Sequence, residues 1–271
     1  MMITSPLDQF RLDNRVVLLT GATGHIGIAL AHSLAQMGAR LVLNARNPDR
    51  LKALQQQLDT SIDNIMLAPF DVGDSEAASR AIKEIESSFG RLDVIINNAY
   101  SGRANVLENS TENDFDMACR QNISGPFMLI QKALPLLKHA GEQNPGGASI
   151  INMASMYGHV SPDPRIYGDS GSNNPPYYGA AKAGLIQLSR YLAAHLGPYN
   201  IRVNAISPGP FPPMSVKDNQ PGFYELLCKK VPLERIGVVD ELVGPVLFLA
   251  SDASSYVSGI NLAVDGGWTC W

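Results

Sequence analysis

The chain has little of what several protein classes require. Only three of its 271 residues are cysteine, Cys119, Cys228 and Cys270. They lie far apart with no zinc-ligand spacing. That argues against a disulfide framework or a metal module and leads us to expect a reducing compartment, the cytoplasm. Charged residues are sparse, at 17 %, and the net charge is −4. No basic run disturbs that balance, which argues against nucleic acid or an anionic membrane as a partner. No apolar stretch approaches the roughly 20 residues of a spanning helix. Met1 to Leu12 lacks the charged-then-apolar order of a secretion signal. Repeats, linkers and low-complexity segments are missing too. Apolar residues make up 45 %, enough for a sizeable core, and residues 1–271 read as one domain.

What is present is alternation. Short β-branched apolar runs occur at Val16–Thr20, Arg40–Asn44, Ile65–Phe70, Val94–Asn97, Ser149–Met153, Ile201–Ile206 and Ile260–Val264. Continuous apolar runs suit strands covered on both faces. Helical patterns separate them. Ile26, Leu30, Leu34 and Met37 keep helical spacing, with Gly38 as the stop. Thr111 and Asp114 form a capping-box pattern ahead of Asn122. Leu185, Leu188, Leu192 and Leu196 line one face of a helix ended by Gly197-Pro198, and Asp240 is expected to cap a last helix through Leu249. Strand and helix in alternation predict an α/β fold, a doubly wound parallel sheet with right-handed connections and helices on both faces. Two stretches resist assignment. Residues 160–176 are rich in Pro, Gly, Ser, Asp and Asn, and residues 209–232 show no clear period. Long loops in compact domains often serve a binding site.

The turn Thr20-Gly21-Ala22-Thr23-Gly24-His25-Ile26-Gly27 joins the first strand to the first helix. Its glycines let backbone approach a pyrophosphate, and the helix N-terminus offers free N–H groups and partial positive charge. The second strand ends Asn44-Ala45-Arg46, without the acid that would accept from a ribose 2′-hydroxyl. Arg46 instead suits a 2′-phosphate, which favours NADP over NAD.

In Tyr178-Gly179-Ala180-Ala181-Lys182 the phenol and the ammonium stand one helical turn apart and point the same way. A free tyrosine titrates near about 10. An adjacent ammonium favours the phenolate and brings it toward the working range, so the pair can pass a proton to or from a carbonyl oxygen.

With this pair, the glycine turn, Asp71-Val72, Asn97-Asn98-Ala99, Asn122, Ser155, Pro208-Gly209 and Val264-Asp265-Gly266-Gly267 in one order, the chain resembles the compact single-domain branch of the short-chain dehydrogenase/reductase superfamily over essentially its whole length. The resemblance implies a Rossmann-type seven-stranded sheet and hydride transfer between nicotinamide and a carbon bearing oxygen. It assigns catalysis to Asn122, Ser155, Tyr178 and Lys182. It assigns cofactor contacts to Gly21, Thr23, Gly24, His25, Ile26, Gly27, Arg46, Asp71, Val72, Asn98, Ala99, Tyr178, Lys182, Pro208 and Gly209. Tyr178 would give the proton, Ser155 would bond the substrate oxygen, Lys182 would depress the Tyr178 pKa and hold the ribose, and Asn122 would position a relay water. Three departures stand out. His25 replaces a glycine, either facing phosphate or lying on the surface. Tyr100 replaces the glycine after Asn97-Asn98-Ala99, which puts a large side chain near the cofactor or turns it away. Pro210-Phe211-Pro212-Pro213 stands where a threonine often holds the carboxamide.

The interval from Ser155 to Tyr178 is longer than is common in the family, and both its ends lie at the site. Tyr157, Arg165, Tyr167, Asp169, Asn173 and Asn174 fill it with donors and acceptors. This suggests a polyol, sugar acid or amino-sugar substrate, with Tyr157, Arg165 and Phe211 as its contacts and Arg165 as partner for a carboxylate or phosphate. The resemblance reaches gluconate 5-dehydrogenase-like members and surface-sugar or flagellin-modification reductases. Alternatives are a 3-oxoacyl thioester reductase, a non-catalytic NADP sensor, or an insert that braces a tetramer. Phe211, Met214, Phe223, Tyr224 and Leu227 either form a lid or fill core. The apolar tail with Trp268 and Trp271 suggests a face covered by a partner subunit in a homotetramer or homodimer.

Overall fold

The computed structural model describes residues 5–100, 102, 105–168 and 173–271. Its strands are β1 (Val16–Leu19), β2 (Arg40–Ala45), β3 (Ile65–Pro69), β4 (Val94–Asn97), β5 (Ala148–Met153), β6 (Ile201–Pro208) and β7 (Asn261–Val264). Its helices are α1 (His25–Gln36), α2 (Pro48–Gln57), α3 (Ser75–Phe89), α4 (Glu112–Cys119), α5 (Gly125–Gln143), α6 (Pro176–Leu196), α7 (Ser215–Asn219), α8 (Pro221–Lys230) and α9 (Asp240–Ala250). The strands form one sheet of seven in the order β3-β2-β1-β4-β5-β6-β7, every pair parallel.

Period-two alternation decides which helix each strand residue meets. Val17, Leu19, Leu41, Leu43 and Ile96 pack with Leu30 and Leu34 of α1 and Leu242, Val246 and Leu249 of α9. Val16, Leu18, Val42, Ile95 and Ile150 face the other way, onto Ile82 and Ile85 of α3 and Leu129, Ile130 and Leu137 of α5. Both faces are therefore dry, which is why these strands read as unbroken apolar runs. β1 is flanked by β2 on one side and β4 on the other. Chain direction across the sheet reverses there, and the loops leaving β1 and β4 part to open a crevice.

Element ends differ from expectation in places. α1 stops at Gln36, and Gly38 follows with φ of +88°. The Thr111–Asp114 capping box is present. Asp240 does not cap α9: Val239 holds the cap position, and the Val238 N–H donates to Glu241 at 3.0 Å instead, a carboxylate also gripped by Arg235. The unassigned 209–232 segment holds the short helices α7 and α8. Leu227 is buried there with Tyr157 and Trp268, while Met214 is exposed, so the segment is part core and part surface. Trp268 needs no partner subunit for cover, because it is buried against Tyr157 within the chain; Trp271 is exposed. No helix among the described residues is long and apolar enough to cross a membrane.

Candidate active site

Thr20, at the carboxyl end of β1, ties the crevice together. Its hydroxyl accepts from the N–H groups of Asn98 (2.9 Å) and Ala99 (3.0 Å), and Asn98 Nδ2 returns bonds to the Thr20 and Gly21 carbonyls. Gly21 has φ of +65°, and a Cβ on it would fall 2.7 Å from Ala99 Cα. A Cβ on Gly27 would fall 2.2 Å from the Gly21 carbonyl oxygen. Only glycine lets this turn close on the start of α1. A cavity of about 510 Å³ opens above it. Gly21, Thr23, Gly24, His25, Ile26 and Gly27 form its floor at the α1 N-terminus, where unpaired N–H groups favour an anion. His25 is exposed and lines this cavity.

At one end the cavity meets Arg46, Asp71 and Val72. Arg46 is largely exposed, with Nη1 3.9 Å from Asp71 Oδ2. Arg50 also lines this end and donates to the Thr23 carbonyl at 3.0 Å. The sequence reading missed Arg50. Its signal was present, since Asn47-Pro48 opens α2 and sets Arg50 on the helix's first turn beside Arg46.

The chemistry-bearing groups gather where β5 and α6 meet. Ser155 follows β5 and is buried; its Oγ accepts from the Tyr157 N–H at 3.1 Å. Lys182 is buried on α6, one turn beyond Tyr178. Its Nζ donates to the Met153 carbonyl at 2.7 Å and lies 5.6 Å from the Tyr178 ring centroid. Burial pushes the Lys182 ammonium down to about 7. Burial also raises the Tyr178 phenol above its ordinary value, and hydrogen bonding with Ser155 opposes that rise. The expected depression of Tyr178 by Lys182 is therefore corrected. The phenol is desolvated, and the amine is turned to a backbone oxygen and gives up its proton far more readily than a free lysine. Asn122 lies in a π-helical turn, Arg120–Ser124, between α4 and α5. Its Nδ2 donates to the Ala118 carbonyl at 2.9 Å, and its Oδ1 is buried with no partner among the described residues. Such turns recur at functional sites.

Tyr100 joins the two regions. It lines the cavity, stacks edge-on against Tyr178 with ring centroids 4.9 Å apart, and carries Lys182 Nζ 5.5 Å from its ring centre. The side chain that replaces the usual glycine thus turns onto the phenol–amine pair and shields it from water. Replacing Tyr100 by glycine admits water to the phenol. Desolvation disfavours the phenolate, so its removal lowers the Tyr178 pKa. The expected result is an alkaline limb of the reduction pH profile that moves to lower pH by up to about one unit; kcat measured from pH 6 to 11 checks it.

Other expected residues make different contacts. Arg165 is exposed and its guanidinium is paired at 2.8 Å with Asp163, the N-cap of the 3₁₀ turn that carries it. Pro208 ends β6 and the Gly209 N–H donates to Val264 at 2.9 Å; neither lines the cavity, whereas Phe211 does. Tyr157 is buried, with its phenol 3.4 Å from that of Tyr167. Asp169 lies outside the described residues.

Residues 21–269 match a family model described as Enoyl-(Acyl carrier protein) reductase. The chain is 34 % identical over 266 residues to the gluconate 5-dehydrogenase of Gluconobacter oxydans (strain 621H), covering 97 % of each. It is 34 % identical over 261 residues to the 3-oxoacyl-(acyl-carrier-protein) reductase FabG of Thermotoga maritima, covering 95 % of this chain and 98 % of that one. The crystal structure of a gluconate 5-dehydrogenase from Burkholderia cenocepacia J2315, in complex with NADP and tartrate, superposes with a TM-score of 0.83 at 31 % identity, over 98 % of this chain and 100 % of that one. The chain belongs to the short-chain dehydrogenase/reductase family.

Proposed function

We propose that the protein is an NADP-linked oxidoreductase, with NAD as the weaker alternative, that interconverts a secondary alcohol and a ketone on a polar sugar-like or sugar-acid substrate. The observation that carries this reading is the shared position of Ser155, Tyr178 and Lys182, joined through Tyr100 to the cavity above the glycine turn. The residues there fit the cofactor. A cradle that a Cβ would fill suits pyrophosphate, and Arg46 suits a 2′-phosphate. The relatives named for gluconate, one of them holding NADP, support the same reading.

NADP, when bound, supplies or takes up the hydride. In the reducing direction the carbonyl carbon gains that hydride and its oxygen gains a proton. Ser155 donates a hydrogen bond to the oxygen as charge builds there. Tyr178 gives the proton, which its buried setting keeps on the phenol until it is needed. Lys182, poised at about 7, restores that proton. The unpartnered Asn122 oxygen suits a water that refills Lys182.

A 3-oxoacyl thioester reductase is the second reading, favoured by the Thermotoga maritima relative. It calls for a basic surface toward an acyl carrier, and the chain carries a net charge of −4. A sensor that binds NADP without chemistry is the third, and it has no use for Ser155, Tyr178, Lys182 and Asn122 together. The three part in one experiment: NADPH fluorescence titration, then NADPH turnover against the ketones derived from polyols and sugar acids and against acetoacetyl thioesters. NADPH consumption with a polyol or sugar-acid ketone supports the first reading; consumption with the thioester alone rejects it. We also read the protein as one domain, cytoplasmic, a homotetramer or homodimer, and without nucleic-acid or membrane partners; a monomer by light scattering rejects the assembly. Arg46→Ala is expected to lower the NADPH-over-NADH preference by about tenfold, the scale of one charged hydrogen bond, as read from kcat/KM with each cofactor.

A further inference from the structure

Two buried side-chain atoms lack partners among the described residues, Asn122 Oδ1 and Asn174 Oδ1. The first belongs to the relay. The second has no place in the chemistry above. A buried carbonyl oxygen without a donor is destabilising, so it calls for an occupant that supplies one. Asn174 stands four residues before Tyr178, just ahead of α6. Its neighbour Asn173 accepts from the Asn105 N–H at 3.2 Å, which holds this stretch against the chain that follows Tyr100.

From Asn174 a polar line leads back to the reaction centre. The Asn174 backbone bonds the Tyr167 phenol. The Tyr167 oxygen lies 3.4 Å from the Tyr157 oxygen. Tyr157 is near enough to Tyr178 for the two phenols to act on each other, and its N–H donates to Ser155. Behind this line stand apolar faces: Trp268 edge-on to Tyr157, and Phe223 against Tyr167 at 5.4 Å.

We propose that Asn174, Tyr157 and Tyr167 form a subsite for a further hydroxyl of an uncharged polyol, placed beside the carbon that Ser155 and Tyr178 serve. The assignment rests on the oxidoreductase reading above and narrows its substrate class. An amide oxygen needs a proton donor. A hydroxyl supplies one; a carboxylate at neutral pH has none to give. Tyr167 completes the pairing: its oxygen accepts from the Tyr157 hydroxyl and the Asn174 backbone, which leaves its own proton to donate to the substrate hydroxyl oxygen, and burial holds both phenols protonated. Two nearby cations are already engaged, since Asp163 takes both Arg165 and Lys230, at 2.8 and 3.1 Å. A site built to bond hydroxyls rejects analogues that lack them.

The test uses a four-carbon series with NADP: 2-butanol, 2,3-butanediol, erythritol and the carboxylate threonate. Wild-type protein is expected to show the highest kcat/KM on erythritol. Erythritol is also expected to raise the melting temperature in the presence of NADP. In Asn174→Leu the erythritol-to-2-butanol ratio of kcat/KM falls by about tenfold or more, chiefly through KM, and the thermal shift shrinks. Tyr167→Phe, which removes one oxygen and little packing, lowers the same ratio several-fold. A ratio unaltered in both variants overturns the subsite, as does preference for threonate. Turnover of 2-butanol in preference to the polyols also overturns it but leaves the oxidoreductase reading standing. No turnover across the series by protein that binds NADPH overturns both.

Discussion

Tyr178→Phe is expected to lower kcat for ketone reduction by about 10²–10⁴-fold, the span that a positioned proton donor contributes. The change removes one oxygen and keeps the ring that stacks on Tyr100 and sits near Lys182. Packing therefore survives, and NADPH affinity is expected to fall less than about tenfold. The loss should not be recovered at low pH, because solvent protons do not replace a donor buried beside Ser155. Steady-state kinetics and fluorescence titration on one preparation separate the two effects. A kcat loss below about tenfold contradicts the assignment of the proton to this phenol.

Gly27→Ala is expected to have the second-largest effect, and it acts on the cofactor and not on the proton. The added methyl would fall 2.2 Å from the Gly21 carbonyl oxygen and 2.9 Å from the Ala22 backbone. Both are main-chain atoms, so no rotamer relieves the contact, and the turn must pull away from α1. Overpacking of this kind costs about 1–3 kcal/mol. At about 2–4 °C per kcal/mol, the melting temperature falls by about 2–12 °C. The functional loss is more specific. NADPH at 100 times its Kd stabilises the wild-type fold by about 2.7 kcal/mol, and the displaced turn should lose most of that stabilisation. Melting curves with and without NADPH check it. A variant that keeps the full NADPH-induced shift contradicts the phosphate-binding role of this turn.

The strands and the helical pairing of Tyr178 with Lys182 were legible because each rests on local information, whereas Ser155 was reached only through the family resemblance. Two dry faces make continuous apolar strands, and i,i+4 spacing makes a helical pair. Helix α8 was less so, although Pro221 at its start and Lys229-Lys230 at its end are ordinary boundary signals. Its ten residues carry too few turns to show a period. The ion pair of Arg165 with Asp163 was not legible, because it depends on a 3₁₀ turn that brings together residues two positions apart. Tyr100 was seen as a departure from the family, but the direction of a loop side chain is set by what it packs against, here Tyr178 and Lys182 from a helix far along the chain. The Tyr178 pKa went astray for the same reason. Spacing reveals a neighbouring amine; it does not reveal burial, or the Met153 carbonyl that engages the amine.

The central claim is that Ser155, Tyr178 and Lys182 move a proton to the same substrate whose carbon takes a hydride from the cofactor held above the glycine turn. NADPH carrying deuterium at both C4 positions tests it most directly, with a polyol-derived ketone and mass analysis of the alcohol formed. The account predicts deuterium at the carbinol carbon with wild-type protein and almost none with Tyr178→Phe over the same interval. Equal deuterium with both proteins, or alcohol formed without the label, contradicts it.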